Sequence, residues 1–508
     1  MKKITIGALA ILTFGLLYFY IGLSMNKITT LKVGFPVHWG NLIPSLQHTG
    51  YADALMANQF EALVVAGTGG VTQPLAAKSW TVSEDFKVFT FKVDTERKFS
   101  NGEQLTASDF KRSWEYGLTL DPKSSNSSLQ DVMYRVLGFE NFNKTGHLEG
   151  VTVIDKETLK VEFKESFRMA LNHLAGSRMS AFIKKDDSYL GTGPYILTDK
   201  DKTLYLSRNE YSTADVGFDS IEIIVVPPTE ASDALSTGLV DIYTFAEFAN
   251  IQECFEGDEL IGCYSGAEAQ HRSLMLNGMS GRFFENKDYR KAIQSLVKKS
   301  LTKEVLPSFY QYNLNIDPQI YLPLQIGRLD TETANMEVAE GEKHIAAFIA
   351  ATQKDPLYMI TSEENNWMQD ILESAGVKFT EDSGFITTQE RVKMYYKTHK
   401  ADVFVMAFSV ASGDPDGIYH ALGKNGSIGS PIQYRPSVSD LLEEGRHILD
   451  LKKADAHYKR VSEETLREVP FVHLGFTKTI VAYRKDKIKV KNKYKKRDDS
   501  KLSIYEAI

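Results

Sequence analysis

The chain has 508 residues, of which 43% are hydrophobic, 11% aromatic and 25% charged, with a formal net charge of −7. This length is too great for one ordinary domain, and the apolar share excludes an intrinsically disordered chain. The mild acidic excess gives no basis for a nucleic-acid partner.

The first element reads as an export segment. Lys2 and Lys3 precede residues 4–25, an uncharged and mostly apolar run. As a helix it would span about 33 Å, enough to cross the hydrocarbon core. Gly22, Leu23 and Ser24 offer a small-x-small cleavage site for a removable signal peptide, and the length of the run equally fits an uncleaved membrane anchor. Positive charge before the run places the remaining chain outside. With no cysteine near this segment, a lipoprotein anchor is excluded.

Thr30–Phe35 alternates as a strand, followed by a loop at 37–41. Val88–Val93 is a second strand, and Asn101-Gly102 carries a turn signal. Thr106 is placed to cap a helix, with Asp109 at its positive end and Phe110, Trp114 and Leu118 as its apolar stripe. Residues 121–128 are a polar surface loop. Residues 151–154 and 158–163 form a hairpin with its turn at Asp155, and 195–197 with 204–207 form another strand pair. The run 221–226 reads as a strand buried on both faces, 229–238 as a helix with Ala231, Ala234 and Leu235 inward, and 239–243 as the next strand. That strand–helix–strand unit predicts a partly parallel α/β layer. The second half repeats the pattern with strands at 274–276, 357–361 and 402–408 and helices at 289–299 and 364–375. No tandem repeat is present, so a solenoid or propeller is excluded.

The two cysteines, Cys254 and Cys263, enclose a short loop. They fit a disulfide in an oxidising compartment or two unpaired thiols; without a nearby histidine they make a poor zinc site. Lys485, Lys487, Lys489, Lys491, Lys493 and Lys495 alternate with Ile488, Val490 and Tyr494, which reads as a strand with one lysine face, either a charge-protected edge or a membrane-facing patch.

The chain carries no Walker loop, nucleophile elbow, His-Glu-x-x-His or EF-hand spacing. The glycines at 67–70 read as a turn. His447 and His457 fall on different faces of any one helix and read as solvated or capped. Asp414 and Asp416 flank Pro415 in a turn that points them apart. The motif search therefore gives no expectation of an enzyme, a cofactor or a metal.

Three segments in order resemble the family 5 extracellular solute-binding proteins, the oligopeptide/dipeptide-binding components of ABC transporters. The first is LAAKSWTVSED at 75–85 with KFSNGEQLTASD at 98–109. The second is GTGPY at 191–195, then LYLSRN at 204–209 and GLVD at 238–241. The third is DVFVMAF at 402–408, Asp414-Pro415 and EVPFV at 468–472. The match runs over about residues 30–490. The resemblance implies an α/β fold, a two-lobed type II periplasmic-binding-protein clamshell with an additional domain. It divides the chain into a signal peptide or anchor at 1–27, lobe I at 28–65, 188–270 and 467–508, the additional domain at 66–187, and lobe II at 271–466. It further implies a monomer at the outer face of the cytoplasmic membrane, periplasmic or extracellular. The monomer captures a peptide by hinge closure and delivers it to ABC permease subunits. Alternatives are a relative adapted to a metal chelate, sugar or signalling peptide, or a tethered sensor that keeps the fold without transport.

By position, the resemblance assigns His38, Trp39, Phe408, Ser409, Ala411 and Asp414 to the ligand cleft. Peptide-binding relatives carry an aspartate for the α-amino group three residues before the Asp-Pro pair; here that residue is Ala411. Trp80, Phe99, Trp114 and Tyr195 match signature positions of the core.

Overall fold

A computed structural model describes residues 30–488, apart from 41, 47–49, 67–71, 121–128, 201–202, 215, 245–248, 250, 252, 324, 362–365, 386–397, 410–414 and 425–434. The apolar N-terminal run, the polar loop at 121–128, the glycine turn at 67–70 and the lysines beyond 488 lie outside the described residues.

Strand β1 (Thr30–Phe35) buries Leu31, Val33 and Phe35, as its alternation dictates. A separate four-stranded antiparallel sheet follows, built from β2 (Ala77–Val82), β3 (Val88–Val93), β4 (Val151–Val153) and β5 (Thr158–Glu162) in the order β2-β3-β5-β4. Helix α1 (Ala107–Leu120) lays Phe110, Trp114 and Leu118 into one core with Phe89, Phe91, Leu159 and Val161 of that sheet. The cap of α1 works opposite to the expected sense. The Thr106 amide and hydroxyl both donate to Asp109 Oδ2, each at 2.7 Å, so the carboxylate reaches back to the cap, as the acid of a capping box does. The β4–β5 turn is held by Asp155, which accepts from the Glu157 amide and the Thr158 hydroxyl at 2.8 Å.

The chain then enters the main sheet through β6 (Tyr195–Lys200), β7 (Thr203–Arg208) and β8 (Ser220–Val225), passes through α2 (Ala231–Thr237) and returns as β9 (Ile242–Tyr243). Strand β1 lies between β8 and β9 and is parallel to both, which is the predicted parallel layer. Gly238, at φ 77°, ends α2 in the left-handed region that favours glycine. Two expectations are corrected here. Burial in β8 alternates, with Ile221 and Ile223 covered while Glu222 stays half-buried beside the outward Tyr205 of β7, so one face is open. The strand expected over 239–243 is two residues long, because the chain turns at Gly238 and leaves Leu239 exposed.

Strand β10 (Ile261–Leu276) is far longer than the predicted 274–276. After it come α3 (Lys287–Ser300), β11 (Leu314–Ile316), β12 (Met359–Thr361), α4 (Trp367–Ser374), β13 (Gly384–Phe385), β14 (Val403–Ser409), α5 (Pro436–Gly445), α6 (Leu451–Glu468) and β15 (Phe471–Arg484). Among the described residues the main sheet has eleven strands, ordered β6-β7-β8-β1-β9-β15-β10-β14-β12-β13, with β11 paired to β15. One core links α2 (Leu235) to α3 (Ile293, Val297) along β10 and β15; another packs α5 and α6 on Met275, Ile360 and Tyr419.

The predicted lysine strand fails at its start. Residues 485–487 form a turn closed by the Lys487 amide on the Arg484 carbonyl, with Arg484 paired to Asp486 at 2.9 Å. His457 is buried within α6, its Nε2 2.7 Å from the Leu441 carbonyl of α5, and is not solvated. Cys254 and Cys263 form a disulfide pair with Cα atoms 5.2 Å apart.

Candidate functional site

Strands β10 and β15 pair on both sides of an irregular stretch. Residues 261–265 of β10 pair with 480–484 of β15, and 271–275 pair with 471–476. Register shifts fall between Ser265 and Glu268, between Glu268 and Gln270, and between Arg272 and Ser273. Gly475 at φ 150° belongs to the same stretch, and a Cβ there would lie 2.0 Å from the Asn315 carbonyl oxygen. Bulges of this kind bend a strand pair and end regular bonding.

Two other strands approach the stretch from opposite sides. Gly34 of β1 is level, through Tyr243 and Ala482, with Cys263 of β10. Ser409, the last residue of β14, pairs with Gln270. Since β1 runs parallel to β10 and β14 antiparallel to it, the C-terminal ends of both strands point to the gap at 265–270. A gap where strand ends meet is where an α/β sheet offers a ligand site.

This geometry brings together the segments holding the predicted residues. His38 is exposed in the loop after β1, stacked 4.6 Å from the Trp39 ring, and its Nδ1 accepts from the Gly40 amide at 3.1 Å. Trp39 is buried in the core under β1, and its indole N–H donates to Asp199 at 3.1 Å, so it backs His38 and is fixed by the fold. Phe408 and Ser409 end β14, in register with His271 and Gln270. Ala411 and Asp414 lie outside the described residues, between Ser409 and Pro415. Trp114, Phe99 and Tyr195 are core, as predicted, while Trp80 is partly buried against it.

The floor of the gap is polar and buried. His271 Nδ1 lies 2.9 Å from His473 Nε2, and His473 Nδ1 lies 2.7 Å from the Asp317 carbonyl oxygen. A carbonyl only accepts, so His473 carries its proton on Nδ1 and its Nε2 accepts from His271. Burial holds both rings down, His271 well below and His473 at about 4. The buried Arg272 guanidinium lies 5.6 Å over the Tyr310 ring. Among the described residues no cluster of metal-ligating side chains is present.

Asp416 is the residue whose position departs most from its expectation. Beyond Pro415 it turns inward, is fully buried, and takes a two-pronged contact from Arg446 at 2.5 and 3.0 Å. Burial pushes its carboxyl up, opposed by Arg135 and Arg168, and the Arg446 fork favours the ionised form. His173 Nε2, from the four-stranded-sheet unit, lies 3.5 Å from Asp416 Oδ2. Burial first, then the Arg178 and Arg135 charges, hold His173 at about 3, so this is a contact of neutral imidazole with carboxylate. No local signal marks this pairing, since Asp416 and Arg446 are 30 residues apart and His173 is more than 200 away.

The family model "Bacterial extracellular solute-binding proteins, family 5 Middle" matches residues 71–430. The dipeptide-binding protein DppE of Bacillus subtilis (strain 168) is 31% identical over 156 residues, 28% of each chain. The nickel-binding periplasmic protein of Escherichia coli K12 is 28% identical over 232 residues, 43% of this chain and 41% of that one. The alignments thus span less than half of these curated relatives. The solved structure of the PBP AgaA of A. tumefaciens R10 in complex with agropinic acid superposes with a TM-score of 0.74 at 18% identity, covering 94% of this chain and 98% of that one. That likeness shows the fold, the two-lobed periplasmic-binding clamshell.

Proposed function

Because the chain belongs to the bacterial extracellular solute-binding proteins of family 5, whose members bind solutes and are not enzymes, we propose that it captures a solute between its lobes outside the cytoplasmic membrane and delivers it to ABC permease subunits. Peptides are the cargo class we assign. The observation that carries this reading is the convergence of the C-terminal ends of β1 and β14 on the irregular stretch of β10 and β15. His38, backed by Trp39, and Phe408, Ser409, Ala411 and Asp414 are the residues we assign to the solute. Lobe I comprises 28–65, 188–270 and 467–508, lobe II 271–466, and the unit at 66–187 is the additional domain. The protein acts as a monomer, secreted or held by its N-terminal run.

Ala411 favours a second reading, in which the solute has no free α-amino group. A buried ammonium without a carboxylate partner is costly, about 3–5 kcal/mol where one member of a buried charge pair is removed. Matched free and N-acetylated peptides, titrated calorimetrically, test both readings. Acetylation is expected to change affinity by less than about tenfold, roughly 1.4 kcal/mol. Native mass spectrometry of the exported protein first identifies co-purified solute to guide peptide choice, and small-angle scattering reads closure. Binding without compaction would overturn the clamshell reading, and a hundredfold preference for the free amine would overturn the placement of Ala411.

A further inference from the structure

Among the described residues, further contacts besides His173–Asp416 join the four-stranded-sheet unit to the helices of the other lobe. The Arg135 guanidinium carbon lies 6.0 Å from the Tyr419 ring centroid, Arg168 lies 6.0 Å from that of Tyr458, and His447 Nε2 lies 3.4 Å from Glu165 Oε2. The residues on one side grow out of the core that holds Val136, Phe167 and Ala170, and those on the other out of the core that holds Tyr419, Val438 and Tyr458.

Each side is set by its own neighbours. Arg446 forks Asp416 and lies 3.2 Å over the Tyr419 ring, all within one lobe. Arg135 lies 4.8 Å from both the Tyr134 and Phe167 rings, all within the four-stranded-sheet unit. The cross-contacts form only when two preset surfaces meet, so little side-chain freedom is lost on closing. We propose that these residues form a latch by which the four-stranded-sheet unit acts as a jaw, with His173, Arg135 and Arg168 as positioning residues that set how long the cleft stays shut. None of the three belongs to the segments assigned to the ligand, so the latch acts on retention through closure and not by touching solute. A binding-competent state populated less often weakens apparent affinity in proportion, so the latch sets affinity at a distance.

The proposal rests on the clamshell reading above, and its test separates the two. Dyes are placed at Asn143→Cys and Lys452→Cys, exposed positions on the two sides, in the full exported chain with its native cysteines left as they are. Single-molecule energy transfer then counts shut and open molecules. His173→Ala and Arg135→Ala are each expected to lower the shut-to-open ratio about tenfold, and His173→Gln, which keeps an N–H near the Nε2 position, to restore most of it. Thermal melting of every variant within about 2 °C of the parent confirms that the fold survives. A single unmoving population in the parent would overturn the clamshell reading. Two populations whose ratio ignores His173→Ala and Arg135→Ala would overturn the latch alone, as would a His173→Gln ratio no better than that of alanine.

Discussion

Acid should unfold this protein through the buried imidazoles under the cleft. His473 titrates near 6.5 when unfolded and at about 4 when folded, because burial outweighs the favourable Asp317 carbonyl. The unfolded chain therefore binds the extra proton first. The stabilisation is complete above pH 6.5 and is lost as pH falls through 4, about 3 kcal/mol for His473 alone. His271, held down for the same reason, adds in the same direction. Geometry supports the sign, since a second proton on His473 would set an N–H against the N–H that His271 presents at 2.9 Å. Urea unfolding followed by circular dichroism in half-unit steps from pH 7.5 to 4.5 reads the effect against His473→Gln. The variant should be about 1 kcal/mol less stable at pH 7.5, having lost a hydrogen bond. It should lose about 2–3 kcal/mol less than the parent on acidification, because the missing group no longer titrates. Parallel curves for parent and variant would show that His473 is not the acid-sensitive group.

Gly191→Ala should abolish soluble expression or cost more than about 3 kcal/mol, because its Cβ would lie 2.0 Å from the Gln59 carbonyl oxygen, a backbone atom that cannot yield; a melting curve decides it. Replacing Cys254 and Cys263 by serine together should cost about 2–3 kcal/mol in denaturant titrations, and the double variant should no longer respond to reductant. Trp39→Phe should cost about 1 kcal/mol through the lost bond to Asp199, measured by urea unfolding. The reading of Lys2, Lys3 and the apolar run as an export segment predicts that a reporter active only outside the cytoplasm, fused after Ile508, is active; activity only of a cytoplasmic reporter would overturn it.

Elements governed by local periodicity were legible in the residues. β1 and β3 have the predicted bounds, α1 buries the predicted stripe, and α2 ends at the predicted glycine. What failed was set by partners distant in sequence. The first half of β10 contains Gly262, Ser265, Gly266 and Ala267, poor strand formers, and is a strand because β15 lies along it some 200 residues away. Asp416 read as a turn residue because its neighbours are Pro415 and Gly417; its partners Arg446 and His173 come from α5's end and from a short helix, Ala170–His173, of the four-stranded-sheet unit. His457 read as solvated or capped, and the choice between the two is made by α5, whose Leu441 carbonyl bonds its ring. The cleft was legible only through the resemblance, since no spacing in the chain announces that two strand ends will meet.

A sheet continuous through both lobes would ordinarily resist bending, and here the irregular stretch confines the bend. Residues 261–265 of β10 pair regularly with 480–484 of β15, and the register shifts then run from Ser265 to Ser273, so the irregular stretch separates two paired parts of the sheet. Between them successive register shifts remove the bonds that would hold the halves at a fixed angle. Gly475 lies against the Asn315 carbonyl at the same level, where any side chain would force β11 away from β15. The stiff parts and the soft part are thus one pair of strands, and the soft part is also the floor of the proposed cleft. A solute there contacts the element whose angle sets closure, while the His173–Asp416 contact secures the far edge of the jaws. Solute affinity and closure are then two readings of one equilibrium, and a change at either end must shift the other by the same factor.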